Sequence, residues 1–417
     1  MARMIPDDIK DRVTLASWLN GRSRHDGIVI AQRSAQRVAP IYLASLKEPR
    51  VRDIDQKALD ILRKLLTSGV AAVFSTPEVQ MAGWAAQVSG VAPGAKTFFS
   101  AAAEADAAAD AAVGDASDLY PGAAIAAARA AAAAQRYSNG GSFLWEQVRE
   151  DARILEKGEN PLTLLLWSFP KPDWFERNNA TLRQWWQLDA VRLRDDDGLG
   201  LVDDDGRRLI VEDPNSVTLS KSTYYFWGRW WEGVLSGKQI NWNLQREVAL
   251  IPNVDWMQGP AHIADFIARL EAQFGLRAQI ADLAEKLREV EAQALTQGAS
   301  ELRRGHNHPP ALIGAQVAVR QEIASALVEL DEAEVELSKH SPSSAVLHRI
   351  GTALWRISKN IAAYCGGLAD IAAKKAAEVV GETGTKAFIW TVAAHYAQVD
   401  SVAKSLLEFA AKLAAGG

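Results

Sequence analysis

Apolar residues recur at intervals of three and four through most of the chain, which is the period of an amphipathic α-helix. Leu59, Leu62 and Leu66 keep this spacing in the N-terminal region. Acidic residues precede several such runs, where the positive end of a helix dipole favours them. The pattern predicts four helices within residues 6–95, which begin near Asp7, Asp26, Asp53 or Asp55, and Pro77, the second with a kink at Pro40.

The middle of the chain combines helical patterns with one β-type segment. Residues 143–155, 174–186 and 223–235 have helical spacing. Between the last two, a pair of β-prone runs flanks Asp205-Gly206, a dipeptide typical of tight hairpin turns. We therefore predict a small β-hairpin at 190–213, inserted into a mostly α-helical protein.

The C-terminal part has the longest helical patterns. A short heptad seam predicts a helical hairpin within the chain rather than a long coiled coil; its members are Leu276, Ile280, Leu283, Leu287, Val290 and Ala294. Four further helices are predicted at 311–339, 343–364, 367–380 and 385–414. The last carries an apolar face that includes Ile389, Tyr396, Leu406 and Phe409.

These patterns predict a multi-domain helical array or bundle. An alanine-rich tract separates its first two parts, since residues 101–134 contain 20 alanines, and it is either a pair of thin helices or a spacer. The predicted regions are an N-terminal helical region (1–95), the Ala-rich segment (96–139), a Trp-rich domain with the hairpin (140–258), a helical hairpin with a linker (259–310) and a C-terminal helical region (311–417).

Composition narrows the class of protein. The chain of 417 residues is 48% hydrophobic and 23% charged, with a formal net charge of -5. These values are typical of a soluble globular protein and argue against a dedicated nucleic-acid binder. The single cysteine, Cys365, excludes an internal disulfide and a cysteine metal cluster. Charges near the N-terminus and the lack of a long apolar run predict a cytoplasmic protein without a signal peptide or an ordinary membrane span.

Tryptophan is concentrated in the middle region, where 10 of the 14 tryptophans lie between Trp145 and Trp256. Trp227, Trp230 and Trp231 recur at helical spacing, which favours a core face. With Arg229 between them, the alternative is a recognition face that stacks on bases or binds a cation. We take these four residues, with the four named on the last helix, as candidates for an interaction site.

Sequence motifs for catalysis are weak. The chain has no Gly-x-Ser-x-Gly elbow and no phosphate-binding loop. His306 and His308 lie in the string Gly-His-Asn-His-Pro-Pro, and the prolines favour an extended backbone that places both histidines on one side. They are weak metal-ligand candidates, and a docking motif or linker is the favoured interpretation. We predict no catalytic centre and no cofactor.

Four strings resemble a family of uncharacterised bacterial proteins found mainly in alphaproteobacteria. They are the Ala/Asp-rich tract with residues 143–158, then residues 230–237, 247–264 and 305–310. The resemblance covers residues 101–310 best, and the predicted hairpin departs from it. It implies a modular protein in which this middle region accompanies variable ends, and it implies no activity.

The sequence thus predicts an interaction or self-assembly protein with a protein partner or a second copy. In this hypothesis the Trp-rich domain is a scaffold and the C-terminal helices associate. One alternative is a membrane-acting effector of the defence or toxicity type, which would use the small-residue helices of 343–417. Another is a metal-dependent hydrolase or nuclease that uses His306 and His308.

Overall fold

The computed structural model describes residues 4–46, 53–88, 143–185, 223–238, 240–301, 310–375 and 383–415. These ranges are mostly α-helical and contain no β-strand, which confirms the mostly α-helical part of the predicted fold class. The Ala-rich segment, the hairpin predicted at 190–213, and His306 and His308 lie outside the described residues.

The chain divides into two compact units, Met1–Ala268 (unit 1) and Arg269–Gly417 (unit 2). Unit 1 begins with a short 3-10 helix, Pro6–Asp8, and a second one, Pro161–Thr163, lies in its middle. Its α-helices are α1 (Arg12–Leu19), α2 (Arg24–Ser45), α3 (Ile54–Val73), α4 (Pro77–Val88), α5 (Phe143–Glu156), α6 (Asp173–Trp185), α7 (Tyr225–Ser236), α8 (Trp242–Ala249) and α9 (Asn253–Trp256). The boundary between the units falls within α10 (Pro260–Glu301).

Side-chain caps set the starts of the first two helices. The Asp11 carboxylate accepts hydrogen bonds from the backbone N–H groups of Val13 and Thr14, each at 2.9 Å. Helix α1 therefore begins at Arg12, four residues after Asp8. The Ser23 hydroxyl likewise accepts from the Asp26 N–H at 3.2 Å and opens α2. These bonds satisfy amide groups that have no partner within the helix. The acidic residues predicted to open the first helix form the 3-10 turn instead.

Helix α2 lies at the centre of unit 1 and is buried along most of its length. It packs on α3, α5 and α6. The helix continues through Pro40, where a kink was predicted. Its buried surface includes charged residues, Arg33 and Arg37, and these require partners because an isolated charge is costly to bury.

Glycine follows the last residue of α7 because the backbone of the 164–166 segment approaches closely there. Gly237 has φ +70°, a left-handed conformation that glycine adopts without strain. A Cβ atom at this position would lie 2.6 Å from the carbonyl carbon of Leu164. Leu166 N–H donates to the Leu235 carbonyl at 3.3 Å nearby. The 164–166 segment is thereby held against the C-terminus of α7.

Unit 2 contains the remainder of α10 and the helices α11 (Pro310–Leu337), α12 (Ser344–Lys375) and α13 (Thr383–Ala415). The members of the predicted heptad seam of α10 from Leu276 to Val290 are buried in its core. Helix α12 is continuous from Ser344 to Lys375, so the break predicted between the helices 343–364 and 367–380 is wrong. A Cβ atom at Gly351 would lie 2.9 Å from Leu407 Cγ, and this glycine lets α12 and α13 pack closely.

Candidate functional site

The tryptophans of α7 form part of the core of unit 1. Trp227, Trp230 and Trp231 are all buried. The rings of Trp227 and Trp230 meet edge to face, with centroids 5.9 Å apart and planes at 88°. Trp227 also contacts Trp256 at a centroid distance of 6.3 Å. These are the geometries that aromatic rings prefer in packed cores.

Two of these indole groups have buried hydrogen-bond partners. Trp230 Nε1 donates to Gln245 Oε1 at 2.9 Å, and Trp231 Nε1 donates to Asn179 Oδ1 at 2.8 Å. Gln245 and Asn179 are themselves buried. Because each bond fixes both its ring and its amide, the cluster ties α6, α7 and α8 into one scaffold. The three α7 rings are therefore buried within unit 1 and are not exposed to a binding partner.

Arg229 lies on the opposite, exposed side of α7. Its guanidinium carbon is 4.9 Å from the centroid of the Tyr225 ring, a cation–π contact within the helix. On the same helix Glu232 accepts from Arg183 Nε at 3.0 Å. Of the four candidates on α7, Arg229 is therefore the one at the surface.

The candidates on the last helix are placed in part. Leu406 and Phe409 belong to the buried core of unit 2. Ile389 and Tyr396 belong to α13, but their side chains lie outside the described residues. Val399 and Val402 on the same helix are also buried. The part of this face that the structure describes therefore packs inside unit 2, where it stabilises the bundle.

A buried charge cluster in unit 1 was missed by the sequence analysis. Asp151 on α5 accepts from Arg33 Nε at 2.8 Å, from Arg37 Nη1 at 2.6 Å and from Arg37 Nη2 at 3.0 Å. All three side chains are at most 2% exposed. One carboxylate thus faces two guanidinium groups, which leaves the cluster with one excess positive charge.

Backbone carbonyl groups satisfy the remaining guanidinium donors. Arg33 donates to the carbonyl oxygens of Pro161 at 2.5 Å and Leu165 at 2.6 Å, and Arg37 donates to that of Leu166 at 2.9 Å. Burial lowers the pKa of Arg33 to about 10, and the charge of Asp151 opposes this shift. Arg33 is therefore cationic at neutral pH. The cluster fixes the course of the 161–166 segment and is a structural site.

A second buried cation lies against the tryptophan cluster. The Arg63 guanidinium carbon is 4.8 Å from the centroid of the Trp256 ring, and Nη1 donates to Asn253 Oδ1 at 2.8 Å. Burial lowers the pKa of Arg63 to about 10, partly offset by the charge of Asp60. The contact joins α3 to α9, because Asn253 and Trp256 both belong to α9.

One histidine–carboxylate pair stands near the start of α10. His262 Nε2 lies 2.9 Å from Asp255 Oδ1, and both side chains are partly exposed. The pair joins α10 to α9.

Unit 2 exposes large apolar side chains on two helices. On α11 the exposed fractions are 49% for Val317, 67% for Val328 and 63% for Val335. On α12 they are 43% for Trp355 and 38% for Tyr364. Lys359 Nζ is 5.5 Å from the centroid of the Trp355 ring. These five residues, named here the unit 2 apolar surface, are available to solvent in the folded chain.

The described residues contain neither a metal-binding cluster nor a membrane-crossing helix. Within them, no group of three or more histidine, cysteine, aspartate or glutamate residues could hold a metal ion. Among the same residues, no helix is long and apolar enough to cross a membrane. Comparison with known protein families, with curated proteins and with solved structures finds no match for this chain. The resemblance to an alphaproteobacterial family stays a prediction.

Proposed function

We propose that the protein acts by association, either with a second copy or with another protein. Unit 1 is the rigid scaffold in this proposal, and the helices of unit 2 provide the contact surface. The observation that carries it is the unit 2 apolar surface on α11 and α12. Among the described residues, five of the fourteen exposed large hydrophobic residues lie on these two helices.

Physical arguments support a binding role for these side chains. A β-branched valine is a weaker helix former than alanine or the long charged residues that usually occupy exposed helix positions. An exposed tryptophan leaves a large apolar ring in water, and tryptophan is enriched where proteins contact one another.

The scaffold role rests on the buried clusters of unit 1. The indole–amide bonds and the Arg33–Arg37–Asp151 cluster join α2, α5, α6, α7 and α8 through side chains. Satisfied buried polar networks favour one well-ordered arrangement.

Size-exclusion chromatography with light scattering tests the proposal on the full chain. We expect mass above that of the monomer, 45.3 kDa, at high micromolar concentration or with a co-purified protein. Trp355→Lys should reduce association, whereas Met257→Lys, which changes a 75% exposed residue of unit 1, should not. A strict monomer without any bound protein would overturn the proposal.

A further inference from the structure

Helix α11 has heptad rows on two opposite sides. The inner row is buried in unit 2 and consists of Val319, Ile323, Ala326, Leu330, Ala333 and Leu337. The outer row is exposed and consists of Val317, Gln321, Ala324, Val328, Asp331 and Val335. Both rows alternate spacings of four and three residues. The offset of two residues between them corresponds to about 200° of helix rotation, which places them on opposite faces.

The outer row has the pattern of a coiled-coil seam that no part of the described chain covers. Four of its six positions are Val or Ala, and the row extends over eighteen residues, about 27 Å at the helical rise of 1.5 Å per residue. A helix that only faces water has no reason to repeat apolar residues at this spacing. The row therefore fits another helix with a matching seam.

The order of residues in the outer row is close to symmetric about its centre. When a second α11 is laid antiparallel with residue 326 at the midpoint, Val317 faces Val335 and Ala324 faces Val328 of the other copy. Gln321 then faces Asp331, which accepts a bond from Arg288 within its own chain at 2.8 Å. A carboxylate accepts several hydrogen bonds, so the Gln321 amide can donate to it as well.

Charges beside the seam also favour the antiparallel orientation. Arg320 lies between Val317 and Gln321 along the helix, and Glu334 lies between Asp331 and Val335. In the antiparallel pair Val317 faces Val335 and Gln321 faces Asp331. Arg320 of each copy therefore faces Glu334 of the other. In a parallel pair, Arg320 instead faces Ser325. Opposite charges beside a seam are a known determinant of helix orientation.

The geometry points to a self-association site: the outer row of α11 binds the outer row of a second copy in antiparallel orientation. This inference rests on the proposed function and names its partner as this same chain. Each copy contributes the same residues, as a two-fold symmetric interface requires.

A charge-swap series tests the pairing by light scattering and sedimentation equilibrium. Arg320→Glu and Glu334→Arg should each raise the dimer dissociation constant about tenfold, since two attractive pairs become repulsive. The double variant should restore it to within about threefold, because the swapped charges again face each other. Arg177→Glu, at an exposed position of α6 in unit 1, is the matched control. Thermal unfolding by circular dichroism checks that each variant is folded.

Cysteine cross-linking tests the orientation. In a Cys365→Ser background, a mixture of Val317→Cys and Val335→Cys chains should form disulfide-linked dimers, and either chain alone should form few. Disulfides require Cα atoms within about 7 Å, so only chains aligned antiparallel can join these two positions. Efficient cross-linking of Val317→Cys chains with themselves would overturn the inference.

The failures of the two proposals give different results. A wild-type chain that is monomeric and carries no partner overturns both. An oligomer whose stability the charge swaps and Val328→Glu leave unchanged overturns the α11 pairing alone. Rescue by the double swap supports self-pairing specifically, since an unrelated partner would not carry the compensating charges.

Discussion

Asp151→Asn tests whether the buried charge cluster holds unit 1 together. The substitution keeps the shape of the side chain and removes the charge that faces Arg33 and Arg37. Two guanidinium groups would then lie side by side in the interior without a counterion. Removing one partner of a buried ion pair typically costs about 3–5 kcal/mol, against a total stability of about 5–15 kcal/mol for a folded domain.

Urea unfolding monitored by tryptophan fluorescence measures this loss. Twelve of the fourteen tryptophans lie in residues 1–268, so the signal follows unit 1. With a denaturant dependence of about 3 kcal/mol per molar urea, the midpoint should fall by about 1–2 M. The dependence itself should stay near the wild-type value if the native state keeps its compactness.

Asp7→Asn provides the matched control, because Asp7 pairs with Arg153 at the surface with exposed fractions of 64% and 40%. Its loss should be below about 1 kcal/mol. Adding Arg37→Met to Asp151→Asn should cost less than the sum of the two single changes, since one uncompensated cation is gone. An Asp151→Asn midpoint no lower than that of Asp7→Asn would refute the reasoning.

Three further outcomes are expected. Gly237→Ala should lower the urea midpoint of unit 1 more than Gly158→Ala. Both glycines have positive φ, but only the added Cβ at position 237 would clash with the backbone of Leu164. Equal effects of the two substitutions would contradict this. The bonds from Lys339 and the Ser343 N–H lower the pKa of Glu336 below 4.5, so the stability that Glu336 contributes is present above pH 4.5 and is lost as pH falls through the lowered pKa. Glu336→Gln should therefore make the stability measured by circular dichroism depend less on pH in the acid range. An unchanged pH dependence would count against this role. Leu406→Ala, at a fully buried position, should destabilise unit 2 by about 2–5 kcal/mol in the same assay, and a loss below about 1 kcal/mol would mean that the core there is loosely packed.

Local periodicity was sufficient to predict most helices, because the spacing of apolar residues depends on neighbours within two turns. The ranges of α5 and α11 agree with their predicted bounds to within two residues, and α4 begins at Pro77 as predicted. The break predicted between residues 364 and 367 was wrong, and Gly366 and Gly367 lie within α12, because glycine weakens a helix without removing a backbone hydrogen bond. Proline removes one, yet α2 continues through Pro40 because tertiary packing around this buried helix outweighs the local penalty.

The contacts that organise unit 1 depend on residues far apart in sequence. Arg33 and Arg37, four residues apart in an apolar helix, were a signal of a buried polar face, but their partner Asp151 is 118 and 114 residues away. The spacing of Trp230 and Trp231 indicated a core face, whereas no local pattern identifies Gln245 or Asn179 as the acceptors. The outer row of α11 is visible in the sequence, yet only the structure distinguishes it from the buried row.

The distance along the chain between Arg33 and its carboxylate has a consequence during synthesis. Ribosomes add about 5–20 residues per second, so the 118 intervening residues take about 6–24 s. Throughout that interval Arg33 and Arg37 are already part of the nascent chain while their counterion is still untranslated. A ribosome slowed between these codons would therefore prolong the time in which the two cations of α2 lack their carboxylate.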